Sequence, residues 1–92
     1  MVVLRILYYQ FGNMSSRGGI FMNIKILLGQ RLKELRMEKN MTQQQVAKAL
    51  NLHSVTYLHY EKDQREPPLA ILAQMARFFE VSTDYLLGLK DY

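Results

Sequence analysis

One stretch, Gln43 to Lys62, limits the possible folds of this chain more than any other; it reads QQQVAKALNLHSVTYLHYEK. Apolar residues recur at helical spacing on both sides of Asn51, which predicts two short amphipathic helices joined by a tight turn. Asn tolerates the left-handed backbone conformation that such a turn needs. Ala47 is small at the position where the second helix would cross the first. The pattern therefore predicts two closely packed helices at a fixed angle.

The second of these helices has two unlike faces. The inward-facing residues of the pair are apolar or aromatic: Val46, Leu50, Leu52, Tyr57 and Tyr60. The outward face carries His53, Ser54, Val55, Leu58, His59 and Lys62. This mixture of apolar, polar and basic side chains differs from a plain solvated surface. We therefore expect the outward face to meet a partner.

Three further helices are predicted around the pair. The first covers residues 26–39, where Leu28, Leu32 and Leu35 recur at the spacing of a buried helical stripe. Another covers residues 69–80 and contributes Leu69, Leu72, Ala73, Met75, Ala76 and Phe79 to the core. A last short helix is capped by Ser82, runs from Thr83 to Leu87 and ends at Gly88.

The helix pair and its flanks resemble the helix-turn-helix of the Cro/CI-type (XRE) family of bacterial and phage regulators. The resemblance rests on the small residue at 47, the turn residue at 51 and the apolar residues at 46, 50, 52, 57 and 60. The flanking segments RLKELR (31–36), MTQQQVA (41–47), YEKDQREPPL (60–69) and VSTDYLLG (81–88) extend it to roughly residues 24–89. It implies an all-α, five-helix, lambda-repressor-like DNA-binding domain with a central helix-turn-helix.

Family correspondence assigns the DNA contacts to individual residues. The base-reading positions are Ser54, Val55 and His59. The phosphate-contacting positions are Gln43, Gln44, Thr56, Lys62, Gln64 and Arg65. No side chain on the reading face can make a bidentate contact to a base, unlike the Arg, Gln or Asn usual in the family, and Asp63 stands where the family usually has Gly. We therefore expect weak readout per contact, helped by the shape of the DNA.

The resemblance also places Arg36 of the first helix against Glu61 of the second motif helix. A half-buried bidentate pair there would lock the two helices together. The alternative is two exposed charges that contribute almost nothing to stability. We favour the ion pair.

The charge of the chain is unevenly distributed. The net charge is +4; residues 25–65 carry eight basic and four acidic side chains, whereas residues 66–92 carry two basic and four acidic ones. This asymmetry is expected if one end of the domain meets the phosphates of double-stranded DNA, although an ordinary solvated surface is the alternative.

Apolar residues near the C-terminus exceed what the predicted core needs. These residues are Tyr85, Leu86, Leu89 and Tyr92. Because such domains read paired half-sites about one DNA turn apart, we expect a homodimer in which some of these residues form a two-fold contact. Packing within one monomer is the alternative.

Several other classes of protein are disfavoured by composition. The chain has no cysteine, which removes disulfides, thiolate metal sites and the commonest nucleophile and fits a reducing cytosol. His53 and His59 lie six positions apart, on different faces of a helix, so we expect no metal site and no cofactor. No nucleophile-base arrangement or Gly-rich phosphate loop indicates an enzyme. No apolar run approaches the length of about 20 residues that spans a bilayer, so we expect a cytoplasmic protein.

Residues 1–22 do not belong to the pattern of residues 23–92. Their first part is β-prone and NMSSRGG is flexible and polar. The segment RGGIFM at 17–22 can be encoded by a purine-rich ribosome-binding site followed by a start codon, so translation is expected to begin at Met22. A genuine N-terminal arm is the alternative, and the upstream nucleotide sequence distinguishes the two.

The function implied by the resemblance is sequence-specific transcriptional regulation by a phage or mobile-element type repressor that binds a two-fold operator as a dimer. Two alternatives stay open. The same module serves antitoxins, whose protein partner is a toxin, and an antirepressor is another possible partner. A protein-interaction module that no longer binds DNA would account for the apolar Val55 and Leu58 on the outward face.

Overall fold

The computed structural model describes residues 26–92, which contain five helices and no strand. The helices are α1 (Leu28–Glu38), α2 (Gln43–Ala49), α3 (Ser54–Glu61), α4 (Leu69–Phe79) and α5 (Thr83–Leu87). The predicted all-α, five-helix fold is therefore confirmed. The expected boundary at residue 23 and the expectations for residues 1–22 lie outside the described residues.

Each helix is followed by one residue in the left-handed backbone conformation. Among residues 26–92 these are Asn40, Asn51, Asp63, Glu80 and Gly88; Gly and Asn adopt it readily, whereas Asp63 and Glu80 do so at a conformational cost. Asn51 has φ 59° in the turn between α2 and α3, as predicted. Two helix starts have side-chain caps: Thr42 and Gln45 form a capping box at α2, as their spacing in the sequence indicates, and Ser82 caps α5, as predicted.

One hydrophobic core joins all five helices. Its buried residues are Leu28, Leu32, Leu35, Val46, Ala47, Leu50, Tyr57, Tyr60, Leu72, Met75, Ala76, Phe79 and Leu86. α2 packs on α3, α1 lies against both α3 and α5, and α4 packs on α5. The apolar residues predicted to face inward from the first three helices lie in this core.

Three residues differ from their predicted positions. Leu69 is 83% exposed because it lies in the first turn of α4, directly after the exposed loop, and Ala73 is exposed on a side of α4 turned away from Met75 and Phe79. Leu86, expected as a possible dimer contact, has 0% of its surface exposed. α5 packs between α1 and α4, so this side chain completes the core of the monomer instead.

α1 approaches the end of α3 very closely at Gly29. A Cβ atom on Gly29 would overlap the carbonyl oxygen of Glu61 and lie 2.6 Å from Oδ2 of Asp63. The N-terminus of α1 is also joined to α5, since the amide of Leu27 donates to the carbonyl of Leu87 at 3.2 Å. α1 therefore holds the C-terminal ends of both α3 and α5. None of the five helices combines the length and the apolar character that crossing a bilayer requires.

Candidate nucleic-acid interface

α3 buries one face and leaves the opposite face accessible. Tyr57 is completely buried and Tyr60 nearly so, whereas Val55 is 58% exposed and Ser54 and His59 are partly exposed. Thr56 and Leu58 are also partly accessible. All three residues expected to read bases therefore reach the surface of α3.

An open groove lies at the turn between α2 and α3. It has a volume of about 350 Å³ and is lined by Gln44, Ala47, Lys48, Asn51, Leu52, His53 and Ser54. The small side chain of Ala47 leaves room at its base. The groove brings Gln44, expected at a phosphate, beside Ser54, expected at a base. It adds His53 of the outward face and Lys48, for which the sequence predicts no contact.

The start of α2 presents backbone donors. The capping box uses the amides of Thr42 and Gln45, at 2.8 Å and 3.1 Å from their acceptors. The amides of Gln43 and Gln44 precede the first intrahelical hydrogen bond, so they have no partner within the helix. The side chain of Gln43 is positioned by Glu61, because its Nε2 donates to Oε1 of Glu61 at 3.1 Å.

Arg36 and Glu61 form the predicted bidentate ion pair. Arg36 Nε donates to Glu61 Oε2 at 2.6 Å and Arg36 Nη2 donates to Oε1 at 3.2 Å. Only 14% of the Arg36 side chain and 3% of the Glu61 side chain are exposed. Arg36 Nη1 also donates to the carbonyl of Met41 at 3.0 Å, so one guanidinium joins α1, the start of α2 and the end of α3.

The surroundings of the pair favour its charged form. Burial by itself would raise the pKa of Glu61, but hydrogen bonds from Arg36 and Gln43 outweigh burial and hold that pKa below its ordinary value. The pKa of Arg36 is raised, first by its hydrogen bond to Glu61. Burial raises the pKa of Tyr57, whose hydroxyl lies beside this pair without closing a hydrogen bond to it.

The loop after α3 carries three of the expected phosphate-contacting residues. Lys62, Gln64 and Arg65 are all exposed. The amide of Gln64 donates to the carbonyl of His59 at 2.9 Å, which closes the end of α3. Asp63, between these residues, accepts a hydrogen bond from the amide of Gly29 at 3.0 Å. The family resemblance marks Asp63 only as standing where Gly is usual and does not predict this contact; an Asp at a position suited to Gly is the signal that could have indicated it.

The C-terminal residues form a second, separate surface. The Arg31 guanidinium lies 4.1 Å from the centre of the Tyr85 ring and donates to the carbonyl of Lys90 at 3.3 Å. Tyr85 and Leu89 are half-buried, and Tyr92 is 70% exposed. Among residues 26–92, His, Asp and Glu side chains form no group of three or more that could hold a metal ion.

Comparison with known proteins agrees with this geometry. The family model HTH_3, described as helix-turn-helix, matches residues 32–86. The chain is 43% identical over 61 residues to the HTH-type transcriptional regulator ImmR of Bacillus subtilis (strain 168). The matched residues are 66% of this chain and 48% of the relative. The cryptic phage CTXphi transcriptional repressor RstR of Vibrio cholerae is 31% identical over 55 residues, or 60% of this chain and 50% of the relative.

A prophage protein is also similar. The SPbeta prophage-derived uncharacterized HTH-type transcriptional regulator YonR of Bacillus subtilis (strain 168) is 38% identical over 61 residues, which are 66% of this chain and 56% of the relative. The chain thus spans about half the length of the curated relatives it matches.

Proposed function

The chain belongs to the helix-turn-helix family whose model matches it, and on that premise we propose that it is a DNA-binding transcriptional regulator in which α3 reads the sequence of a duplex. The observation that carries this proposal is the accessible face of α3, with Ser54, Val55 and His59 at the surface over a completely buried Tyr57. An α-helix presented in this way fits the major groove, whose base edges differ for each base pair.

The three reading residues offer different contacts. Ser54 donates to or accepts from several bases, Val55 contacts a thymine methyl group, and His59 donates to guanine N7 or to a phosphate. None of them makes two hydrogen bonds to one base. Sequence preference therefore depends also on how easily the operator adopts the bound shape.

Phosphate contacts come from both sides of α3. The amides of Gln43 and Gln44 have no partner within α2 and are suited to donate to a phosphate. Thr56 on α3 and the exposed Lys62, Gln64 and Arg65 after α3 would contact the sugar-phosphate backbone of the DNA. Glu61 lies near this surface, but Arg36 neutralises its charge. The anion therefore does not oppose the approach of a phosphate.

The mode of action that we propose is repression by occupation of a promoter. Two of the similar proteins are named as prophage- or phage-derived, and one of these as a repressor.

We assign DNA binding to residues 23–92. A homodimer on a two-fold operator fits the small size of one reading face, because two half-sites double the number of base contacts.

The first expected result concerns base reading. The chain should select a two-fold symmetric motif from a randomised duplex library, and Ser54→Ala with His59→Ala should weaken binding to that motif by about tenfold or more, since each lost single hydrogen bond contributes about 0.5 to 1.5 kcal/mol. Fluorescence anisotropy at near-physiological salt measures this loss. Gln30→Ala, on the exposed surface of α1, is the control and should bind as the unaltered chain does. Binding that selects no motif and vanishes with added salt would contradict sequence reading.

The second expected result concerns the dimer. We propose that Tyr92, with the half-buried Tyr85 and Leu89, forms the two-fold contact. Tyr92→Asp should then raise the dimer dissociation constant by about tenfold or more, because burying an uncompensated carboxylate is costly. Light scattering over a range of concentrations measures the change. Met37→Asp places the same charge on another exposed apolar residue and should leave the dimer intact; a monomer bound to the selected operator would contradict the proposal.

A further inference from the structure

The N-terminus of α1 is capped by a residue from the loop that follows α3. Leu27, at the N-cap of α1, makes no side-chain cap, and the first turn of the helix contains no acidic residue. Asp63 Oδ1 instead accepts the hydrogen bond of the Gly29 amide at 3.0 Å. A carboxylate at a helix N-terminus satisfies an amide that has no intrahelical partner and interacts favourably with the helix dipole.

The backbone of Asp63 carries a local conformational cost. Asp63 has φ 55°, a backbone conformation that Gly adopts without steric cost and that costs Asp some free energy. Gly at this position would relieve the backbone but would have no oxygen to offer to Gly29. The close approach needed for the contact exists only because residue 29 has no Cβ atom, since a Cβ would lie 2.6 Å from Oδ2 of Asp63.

This cap and the Arg36–Glu61 pair act together. Residues 29 and 36 lie seven positions apart on α1, which corresponds to about 10 Å along the helix axis. They hold residues 63 and 61, on either side of Lys62. Two attachments of this kind prevent the end of α3 and the following loop from rotating about a single point.

We propose that Asp63 is a positioning residue for DNA binding: by capping α1, it orients the loop so that Lys62 and Arg65 face the phosphates of the duplex. This rests on the proposed function, because the phosphates are those of the bound DNA. Lys62, Gln64 and Arg65 are exposed and have no comparable attachment through their side chains among the contacts of the described residues. Their direction is therefore set by the backbone that Asp63 holds.

Simple electrostatics and the positioning role predict opposite results for the same substitution. Asp63 is an anion in a loop expected to bind an anion, so its charge alone weakens DNA binding. Removing the charge should then strengthen binding. If Asp63 positions the loop, removing its side chain should weaken binding in spite of the more favourable charge.

Three single variants of the full chain separate these effects. Asp63→Gly removes both the charge and the acceptor but suits the backbone, whereas Asp63→Asn removes the charge and keeps an acceptor oxygen in a residue that tolerates positive φ. Glu66→Gln is the matched control, since it removes a charge from an exposed residue of the same loop. The probe is mixed-sequence duplex DNA, and anisotropy is measured at several salt concentrations.

We expect Asp63→Gly to weaken binding by roughly fivefold to tenfold and to reduce the slope of log K against log salt by about 1 to 2, as one or two phosphate contacts are lost. Asp63→Asn and Glu66→Gln should bind as tightly as the unaltered chain or roughly twofold more tightly. Asp63→Gly that binds like Glu66→Gln would overturn the proposal.

A double-mutant cycle shows whether the effect passes through the two cations. In a chain that carries Lys62→Ala and Arg65→Ala, adding Asp63→Gly should cause no further loss of DNA affinity. An equal loss in both backgrounds would mean a general structural effect and would overturn the positioning role.

Amide exchange of Gly29, followed by NMR without DNA, tests the cap independently. Exchange should be at least about tenfold faster in Asp63→Gly than in Asp63→Asn. Unchanged exchange overturns the cap itself. If the unaltered chain fails to bind duplex DNA, the proposed function and the phosphate-directed role both fall, while the exchange rates still report on the cap.

Discussion

Glu61→Ala is expected to lower the free energy of unfolding by about 3 kcal/mol or more, which is a large share of the stability of a domain of this size. Glu61 has 3% of its side chain exposed and accepts hydrogen bonds from Arg36 and Gln43. Without the carboxylate, the mostly buried guanidinium keeps its charge but loses its counter-charge. Three elements also lose the group that joins them: α1, the start of α2 and the end of α3.

Denaturant unfolding followed by circular dichroism measures this loss. A double variant, Arg36→Met with Glu61→Leu, provides the control, because replacing both charges with apolar side chains leaves no uncompensated ion and should recover most of the stability. Glu34→Ala removes an exposed carboxylate from α1 and should change stability by less than about 0.5 kcal/mol. A Glu61→Ala protein as stable as Glu34→Ala would show that the pair contributes nothing.

The pH dependence of stability gives a second measure of the same pair. Burial by itself would raise the pKa of Glu61, but the hydrogen bonds it accepts hold that pKa below its ordinary value of 4.5. Because the folded pKa is lower than the unfolded one, the contribution of Glu61 is complete above a pH of about 4.5 and is lost as the pH falls through the folded pKa. The unaltered chain should therefore lose more stability between about pH 6 and pH 3 than the double variant does.

Gly29→Ala is expected to destabilise the protein by about 3 kcal/mol, although Ala is ordinarily the better helix former by about 1 kcal/mol. The added methyl group would overlap the carbonyl oxygen of Glu61, which is backbone and cannot move aside as a flexible side chain could. α1 and the end of α3 would have to separate. That movement would also break the hydrogen bond between the Gly29 amide and Asp63.

Thermal unfolding compares Gly29→Ala with Gln30→Ala, which changes the adjacent, exposed residue of the same helix. Gln30→Ala should be neutral or slightly stabilising, as helix propensity predicts. The opposite signs of two neighbouring substitutions would identify the close contact as the cause. If Gly29→Ala also stabilised the chain, the close approach of α1 to Glu61 would be wrong.

The local features of the fold could be predicted because each depends on a few adjacent residues. Asn51 provides the left-handed residue of the turn, and Thr42 with Gln45 forms the capping box, since these side chains interact with backbone atoms only a few positions away. The Cro/CI-type resemblance, confirmed by the family model, added the long-range pair of Arg36 and Glu61. Periodicity by itself does not predict which arginine and which glutamate form a buried ion pair.

The predictions that failed concern where a correctly predicted helix lies relative to the others. Leu69 fits the apolar periodicity of α4, but no other helix covers it and it is exposed. Leu86, expected at a dimer contact, is instead buried in the core of the monomer. Helical spacing indicates which residues share a face. It does not indicate how much of that face another helix covers.

The sequence by itself determined the five helices, their ends to within two residues, the turn between α2 and α3, and the set of residues on the accessible face of α3. Those properties follow from backbone preferences and from contacts between residues close in the chain. Only the tertiary structure decided that Asp63 caps α1, that Glu61 holds Gln43, and that Gly29 must lack a side chain. Each of these contacts joins residues far apart in the chain, so its geometry exists only after the helices have packed.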